Sequence, residues 1–290
     1  MDLYQALTNR RNGHGATNPA TNGASHLTGK AASDPGANGR VGGNSSLAST
    51  RAVVLAGGRG TRLAPYTSIL PKPLMPVGDR AILEIVVGQL ATCGVRQISF
   101  CVGYLAHLIR AVFDHQTHLH PDVEITYVHE EEPLGTAAPL RLVDELNETF
   151  IVMNGDVLTT LDYSDLTRFH GESGNVLTIA THERVIKINY GLLHIDEDSR
   201  LRDFEEKPEI ISAVSMGIYV MEPAVLDYIP EGTFFDFPDL VQALLRAHQP
   251  VGAYRFDGIW FDIGRREDYE RAVAAWDVNG NGAGAVKQLA

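Results

Sequence analysis

At 290 residues and 44% hydrophobic composition, the chain can build one large packed domain or two small ones. A formal net charge of -12, without a basic stripe of interleaved aromatics, excludes a typical nucleic-acid binder. No apolar run approaches membrane-spanning length and no signal-peptide core precedes a small-residue cleavage site, so a soluble, cytoplasmic protein with no membrane partner is expected. Cys93 and Cys101 are the only cysteines, lack CxxC spacing and sit in apolar stretches, which predicts two buried thiols.

Residues 1–50 are rich in Gly, Asn, Ala, Ser and Thr, carry one aromatic (Tyr4) and show no helical or strand period, so a disordered tail is expected. Arg10, Arg11 and Arg40 with few acids raise a transit peptide as an alternative, although no amphipathic helix is visible. The domain is expected over 51–277. It opens on the stretch from Val53 to Pro76, where a β-branched run reads as a buried strand and passes into Gly57, Gly58 and Gly60. A glycine turn of this kind can point amide N–H groups inward at phosphate oxygens, because no Cβ holds the anion off. Arg51, Arg59, Arg62 and Lys72 are the charged residues between Arg51 and Gly78, with no carboxylate among them. A cationic island in an acidic chain points to a bound anion. A dinucleotide fingerprint would need glycine where Leu63 stands, and the Gly-Lys-Ser/Thr of a P-loop is absent.

Beyond the turn, the spacing predicts a helix over Ala81 to Cys93 capped at Gly94, a strand at Gln97 to Val102, a helix at Ala106 to His115 and a strand at Ile125 to His129. A helix from about Ala137 to Leu146 should lead into a strand at Phe150 to Met153. This alternation predicts an α/β fold: a Rossmann-like mixed, mostly parallel sheet with helices on both faces. Strands at Asn175 to Ala180, Tyr190 to Ile195, Leu201 to Glu205 and Val214 to Val220 should add antiparallel pairs and a small substrate-facing subdomain. Helices are expected at Leu240 to His248 and Arg266 to Trp276, and a flexible tail over 278–290. No hexapeptide array follows Trp276, so no C-terminal β-helix is expected.

Several residues have the chemistry of a site. Asp156 follows a strand in MNGD, and in an open α/β sheet ligands sit beyond the carboxyl ends of strands. With Asp262 in WFDIG it could hold one Mg²⁺ through oxygen ligands, although either aspartate alone could equally be a turn or capping residue. In EEPLGTAAPL, Gly135 would let the backbone approach a flat base and Thr136 would open a helix; a plain helix start stays open. Lys207, between a strand and Pro208, would make a fixed anion clamp, and Glu206 would accept from hydroxyls; the other reading is a surface pair. His115, His118 and His120 lack a carboxylate at ligand spacing and read as a solvated loop. No residue pattern suggests a covalent nucleophile.

The motif GG-R-GTRL, followed nine residues after Leu63 by Lys72 in P-K-P-L-x-P, resembles the signature of the sugar-1-phosphate nucleotidylyltransferases. The resemblance runs from about Ala52 to Trp276 through five motifs in family order. It implies that an NTP and a sugar 1-phosphate give an NDP-sugar and pyrophosphate, with Mg²⁺ as cofactor. It implies catalytic roles for Arg62, Lys72, Asp156 and Lys207 and metal ligands in Asp156 and Asp262. Nucleotide contacts are implied at Leu55, Ala56, Gly57, Gly58, Gly60, Thr61, Arg62, Lys72, Glu130, Gly135 and Thr136. Sugar-phosphate contacts are implied at Asn154, Gly155, Gly191, Glu206, Lys207 and Ser215. HEEEPLGTA with PKPLMP looks most like mannose-1-phosphate guanylyltransferases, and Pro73 stands where thymidylyltransferases typically have Gln, which favours GTP. Thymidylyl, cytidylyl, adenylyl or uridylyl transfer to glucose or a modified sugar phosphate is the alternative. A non-catalytic subunit of the same fold would have lost these side chains, and a D-x-D glycosyltransferase would not carry Asn154. Tyr66 and Arg80-Ala81 depart from the family's common residues at positions without a catalytic role. A homo-oligomer stays open.

Overall fold

A computed structural model describes residues 47–114 and 120–276. Among the described residues Leu47, in a 3-10 turn over Leu47–Ser49, already packs into the core, just ahead of the boundary expected at residue 51. Leu47 is only 4% exposed. Removing residues 1–50 should therefore lower the melting temperature below that of a chain lacking 1–46, because losing one buried leucine costs about 1.5–3 kcal/mol. Equal melting temperatures for the two truncations would show that Leu47 contributes nothing.

Thirteen strands are described. In chain order they are β1 Arg51–Leu55, β2 Pro76–Val77, β3 Arg80–Ala81, β4 Gln97–Val102, β5 Glu124–His129, β6 Phe150–Asn154, β7 Val157–Thr159, β8 Leu177–Lys187, β9 Gly191–Ile195, β10 Leu201–Glu206, β11 Glu209–Met221, β12 Val251–Arg255 and β13 Trp260–Asp262. The described α-helices are α1 Ile82–Thr92, α2 Ala106–Phe113, α3 Tyr163–Ser173, α4 Phe237–Arg246 and α5 Arg266–Ala275. Seven strands form one sheet in the order β12-β8-β11-β6-β1-β4-β5. All neighbours run parallel except β11, which is antiparallel to both β6 and β8. The expected mixed, mostly parallel sheet is thus observed.

Strand alternation sorts the core onto two faces. Ala52, Val54, Phe100, Ile151 and Met153 face one cluster, which also takes buried residues of α1, α2, α3 and α5. Val53, Cys101, Val152 and Tyr219 face the other, covered by α4 and by 3-10 turns over Ala138–Leu142 and Pro223–Tyr228. Each strand of the parallel centre is apolar on both sides because both faces are covered.

Some expectations need correction. The helix over 137–146 is a 3-10 turn of five residues that ends where Val143 turns extended. Pro139 fits the first turn of a helix, and the backbone beyond Leu142 does not continue it. The strand expected at Asn175 to Ala180 is longer, β8 running from Leu177 to Lys187, since its pairing with β11 continues past the core. The helix near 240 begins at Phe237, behind Asp236 at its N-terminus. Cys93 is half-buried, and Cys101 is buried. His115 and His118, the tail at 278–290 and residues 1–46 fall outside the described residues. No described helix is long and apolar enough to cross a membrane.

Candidate active site

The parallel strands β1, β4 and β6 end in register, with Leu55 opposite both Cys101 and Asn154. Their following loops are stitched to one another. The Ala56 amide donates to the Cys101 carbonyl at 2.8 Å, Gly155 to Leu55 at 2.9 Å, Tyr104 to Gly57 at 3.1 Å and Glu130 to Val102 at 2.9 Å. Gly57 runs beside the Glu130 carboxylate, and a Cβ there would lie 2.6 Å from Glu130 Oε1 and 3.3 Å from the Gly103 amide, so a side chain would have to displace Glu130. Among the described residues, the amides of Gly57, Gly58, Arg59 and Gly60 find no protein acceptor. They line a turn whose far end is fixed where the Thr67 hydroxyl donates to the Gly60 carbonyl at 2.9 Å.

Lys72 lies directly behind this turn. Flanking prolines hold it in the 3-10 turn Lys72–Leu74, its stem lies against Gly60, and the residue is 8% exposed. Its ammonium pairs with Asp156 Oδ2. A buried ammonium needs such a partner, since desolvation otherwise costs several kcal/mol, on the order estimated for an unpaired ion.

Asp262 reaches the same place from the far end of the sequence. β13 pairs antiparallel with β7, setting Asp262 opposite Val157, and the Ile263 amide donates to the Asp156 carbonyl at 3.2 Å. Burial and then the neighbouring Asp156 charge hold the Asp262 carboxyl above the usual carboxylate range, while Lys72 and Arg62 pull it back. Arg62 approaches Asp262 beside Gly264, where both side chains lie 3.5 Å from the position a Cβ would take. Two cations and two carboxylates therefore balance. Asp156 Oδ1 is buried without any hydrogen-bond partner. An orphaned carboxylate oxygen next to a second, destabilised carboxylate fits an oxygen-ligated divalent cation.

The other predicted residues divide. Asn154 packs its amide against Gly217, and Gly155 adjoins the Leu55 carbonyl, so both stand at the end of β6. Leu55 and Ala56 lie at the end of β1, and Thr61 opens the 3-10 turn after Gly60. Burial holds the Glu130 carboxyl high, against a hydrogen bond from the Leu134 amide. Gly191 faces Glu206 across the β9–β10 ribbon and lies under the Phe204 ring. Ser215 donates to the Tyr219 hydroxyl at 3.2 Å.

Gly135 and Thr136 pack on the 235–237 segment, just ahead of the 3-10 turn that opens at Ala138. Gly135 has φ 91°, and a Cβ there would lie 2.7 Å from the Phe235 carbonyl. The Thr136 amide and hydroxyl both donate to Asp236 Oδ1 at 2.9 Å, and its oxygen accepts from the Phe237 amide at 2.9 Å. The glycine permits close packing on the 235–237 segment, and Thr136 spends its donors anchoring α4. Asp236 was missed, although an acid before Phe-Pro at a helix start is a capping signal. The Lys207 side chain is 66% exposed, and its nearest described carboxylate is Glu206, at 3.6 Å.

A mostly parallel sheet that gathers a glycine turn, two carboxylates and two cations at its carboxyl ends has the build of a nucleotide-handling transferase. The chain belongs to the nucleotidyl transferase family, whose model matches residues 51–277. A UTP–glucose-1-phosphate uridylyltransferase of Synechocystis is 33% identical over 243 residues, covering 77% of this chain and 62% of the relative. The mannose-1-phosphate guanylyltransferase catalytic subunit beta of Drosophila melanogaster is 34% identical over 230 residues, covering 76% and 61%. The chain thus spans a little over 60% of the length of these curated relatives. Among solved structures, HddC of Yersinia pseudotuberculosis superimposes with a TM-score of 0.60 at 26% identity, covering 78% of this chain and 98% of that one. HddC has also been crystallised with GMP-PN.

Proposed function

We propose that the chain transfers a nucleotidyl group from an NTP to a sugar 1-phosphate, with GTP and mannose 1-phosphate or a related sugar phosphate favoured. The observation that carries this reading is the meeting of Asp156, Asp262, Lys72 and Arg62 beneath an open glycine turn at the ends of β1 and β6. The PKPLMP motif, the guanylyltransferase relative and the nucleotide-bound HddC structure support a guanine nucleotide. The Synechocystis relative favours UTP with glucose 1-phosphate as the second reading.

In this reaction a phosphate oxygen of the sugar attacks the α-phosphorus in line. The new P–O bond forms as the bond to the β-phosphate oxygen breaks, and its electron pair leaves with pyrophosphate. The nucleophile is already an anion, so positioning and charge neutralisation carry the catalysis. The open amides of Gly57 to Gly60 and the Arg62 guanidinium would hold the β- and γ-phosphates. Lys72, between Asp156 and the turn, would meet the α-phosphate. Asp156 and Asp262 would hold Mg²⁺, which supplies charge neutralisation to the phosphates when bound. Lys207 would close on the sugar phosphate from the exposed β9–β10 side. Lys207→Ala should then raise the KM for the sugar phosphate about tenfold, the worth of one charge-assisted hydrogen bond, with the NTP KM unchanged. An unchanged sugar-phosphate KM would remove Lys207 from the site.

A matrix of five NTPs against several sugar 1-phosphates, read by pyrophosphate release, tests the reading. Release with GTP and mannose 1-phosphate or a close analogue supports it, release only with UTP and glucose 1-phosphate selects the second reading, and no release from any pair sinks both.

A further inference from the structure

Trp260 precedes Asp262 by two residues on β13, so the two side chains share one face of that strand. The indole Nε1 donates to the Met216 carbonyl at 3.1 Å. Met216 lies in the irregular segment of β11 between Ser215 and Tyr219, next to Gly217 and the Asn154 amide. The ring is therefore fixed beside the carboxylate pair. Two side chains of β8 lie against it. The Arg184 guanidinium sits 4.9 Å from its centre, and the His182 ring lies 5.5 Å away at an angle of 34°.

Their partners separate these two residues. His182 faces the carbonyl oxygens of Glu183 and Gly258, at 2.9 Å and 3.1 Å, so its ring N–H finds a protein acceptor in either tautomer. Arg184 is half-buried on the indole, yet among the described residues it meets no carboxylate and donates no hydrogen bond. Its neighbours on the strand are paired, Glu183 with Arg255 and Lys187 with Glu209. The Arg184 nitrogens stay open to solvent without a described counter-charge, so in a chain of net charge -12 this guanidinium is free to take an anion from outside. Alternate residues of a strand are about 7 Å apart, so the indole that carries Arg184 stands roughly one pyranose ring along β13 from Asp262.

We infer that Arg184, levelled on Trp260, is a specificity-determining cation that binds a second anionic group on the sugar 1-phosphate, remote from the 1-phosphate. This rests on the nucleotidyl transfer proposed above. The shared chemistry is an oxyanion that accepts from a guanidinium fork, whether a sugar carboxylate or a second phosphate.

Full-length wild type and Arg184→Gln are compared with three probes: glucose 1-phosphate, glucuronic acid 1-phosphate and glucose 1,6-bisphosphate. The readouts are pyrophosphate release with the best NTP and, separately, calorimetric binding of each probe. Wild type should favour at least one doubly anionic probe over glucose 1-phosphate about tenfold in kcat/KM, through KM rather than kcat. Arg184→Gln should erase that ratio and Arg184→Lys should restore part of it. The probe that shows the ratio identifies the group as carboxylate or phosphate. Should Arg184→Gln fail to fold, Arg184→Met keeps the apolar stem on the indole and gives the same comparison. Equal ratios in wild type and variant, or an equal loss on all three sugars, overturn the inference. If wild type releases no pyrophosphate from these three probes, the calorimetric ratio alone decides the role of Arg184, and the transfer reading falls only if the full NTP and sugar 1-phosphate matrix is silent as well.

Discussion

Asp156→Asn should lower pyrophosphate release by about 10³-fold or more, the scale on which a single charge-stabilising group acts in a water-poor site. The substitution keeps the shape and removes only the charge. Asp156 Oδ1 is buried and unpartnered, Oδ2 takes the Lys72 ammonium, and Asp262 is crowded by the Asp156 charge. A carboxylate bonded on one side and orphaned on the other is arranged for a second cation, and an amide cannot provide that charge. Because Asn relieves the repulsion on Asp262 while weakening the hold on Lys72, the melting temperature should move by only a few degrees. Calorimetry should show weakened Mg²⁺ binding to the variant, and chelation of wild type should reproduce its loss of activity. Near-normal turnover of the variant in Mg²⁺ would end the assignment of Asp156 as a ligand.

The parts of the site that were legible in the sequence are those whose chemistry is local. Gly57, Gly58 and Gly60 after a β-branched run announce an open turn, and an island of cations without acids announces an anion. That Asp156 and Asp262 meet is another matter. Their approach depends on β7 pairing with β13 across more than a hundred residues, which neither spacing nor period reveals; only the resemblance placed them together. Helix α3 was missed although its signals were present: the Asp162 side chain accepts from the Ser164 amide at 2.8 Å, and Gly174 closes it in the left-handed region. Its weak apolar stripe concealed them. Strand β12 was missed because Pro250 and Gly252 carry no strand signal, while pairing along β8 gives the segment its ladder. At Ala138–Leu142 the error ran the other way, an apolar spacing being read as a full helix where the backbone makes only a short turn. Arg184 and Trp260 escaped notice because a guanidinium over an indole joins two strands distant in sequence and leaves no motif.

Lys72→Met is expected to cost both activity and stability. Methionine matches the length and volume of the lysine stem, so packing against Gly60 survives while the ammonium is lost. With it goes the only described partner of the Asp156 carboxylate, leaving two adjacent carboxylates opposed by Arg62 alone. Breaking a buried pair on one side costs about 3–5 kcal/mol when the remaining charge stays buried. Asp156 keeps a side-chain exposure of 20% against 10% for Lys72, which argues for the lower end of that range or below it. Mg²⁺ bound at the two aspartates would offset the lost positive charge, so the deficit in melting temperature should shrink as Mg²⁺ is added, far more than for wild type. Turnover should not recover in parallel, because the α-phosphate would still lack its ammonium; a fall of about 10²–10³-fold is expected at saturating Mg²⁺. Lys72→Arg separates charge from shape, restoring stability but little activity, since a planar fork does not replace a compact ammonium. Should Lys72→Met melt like wild type and turn over normally, the pairing with Asp156 would be incidental and the α-phosphate would have to be held by another group.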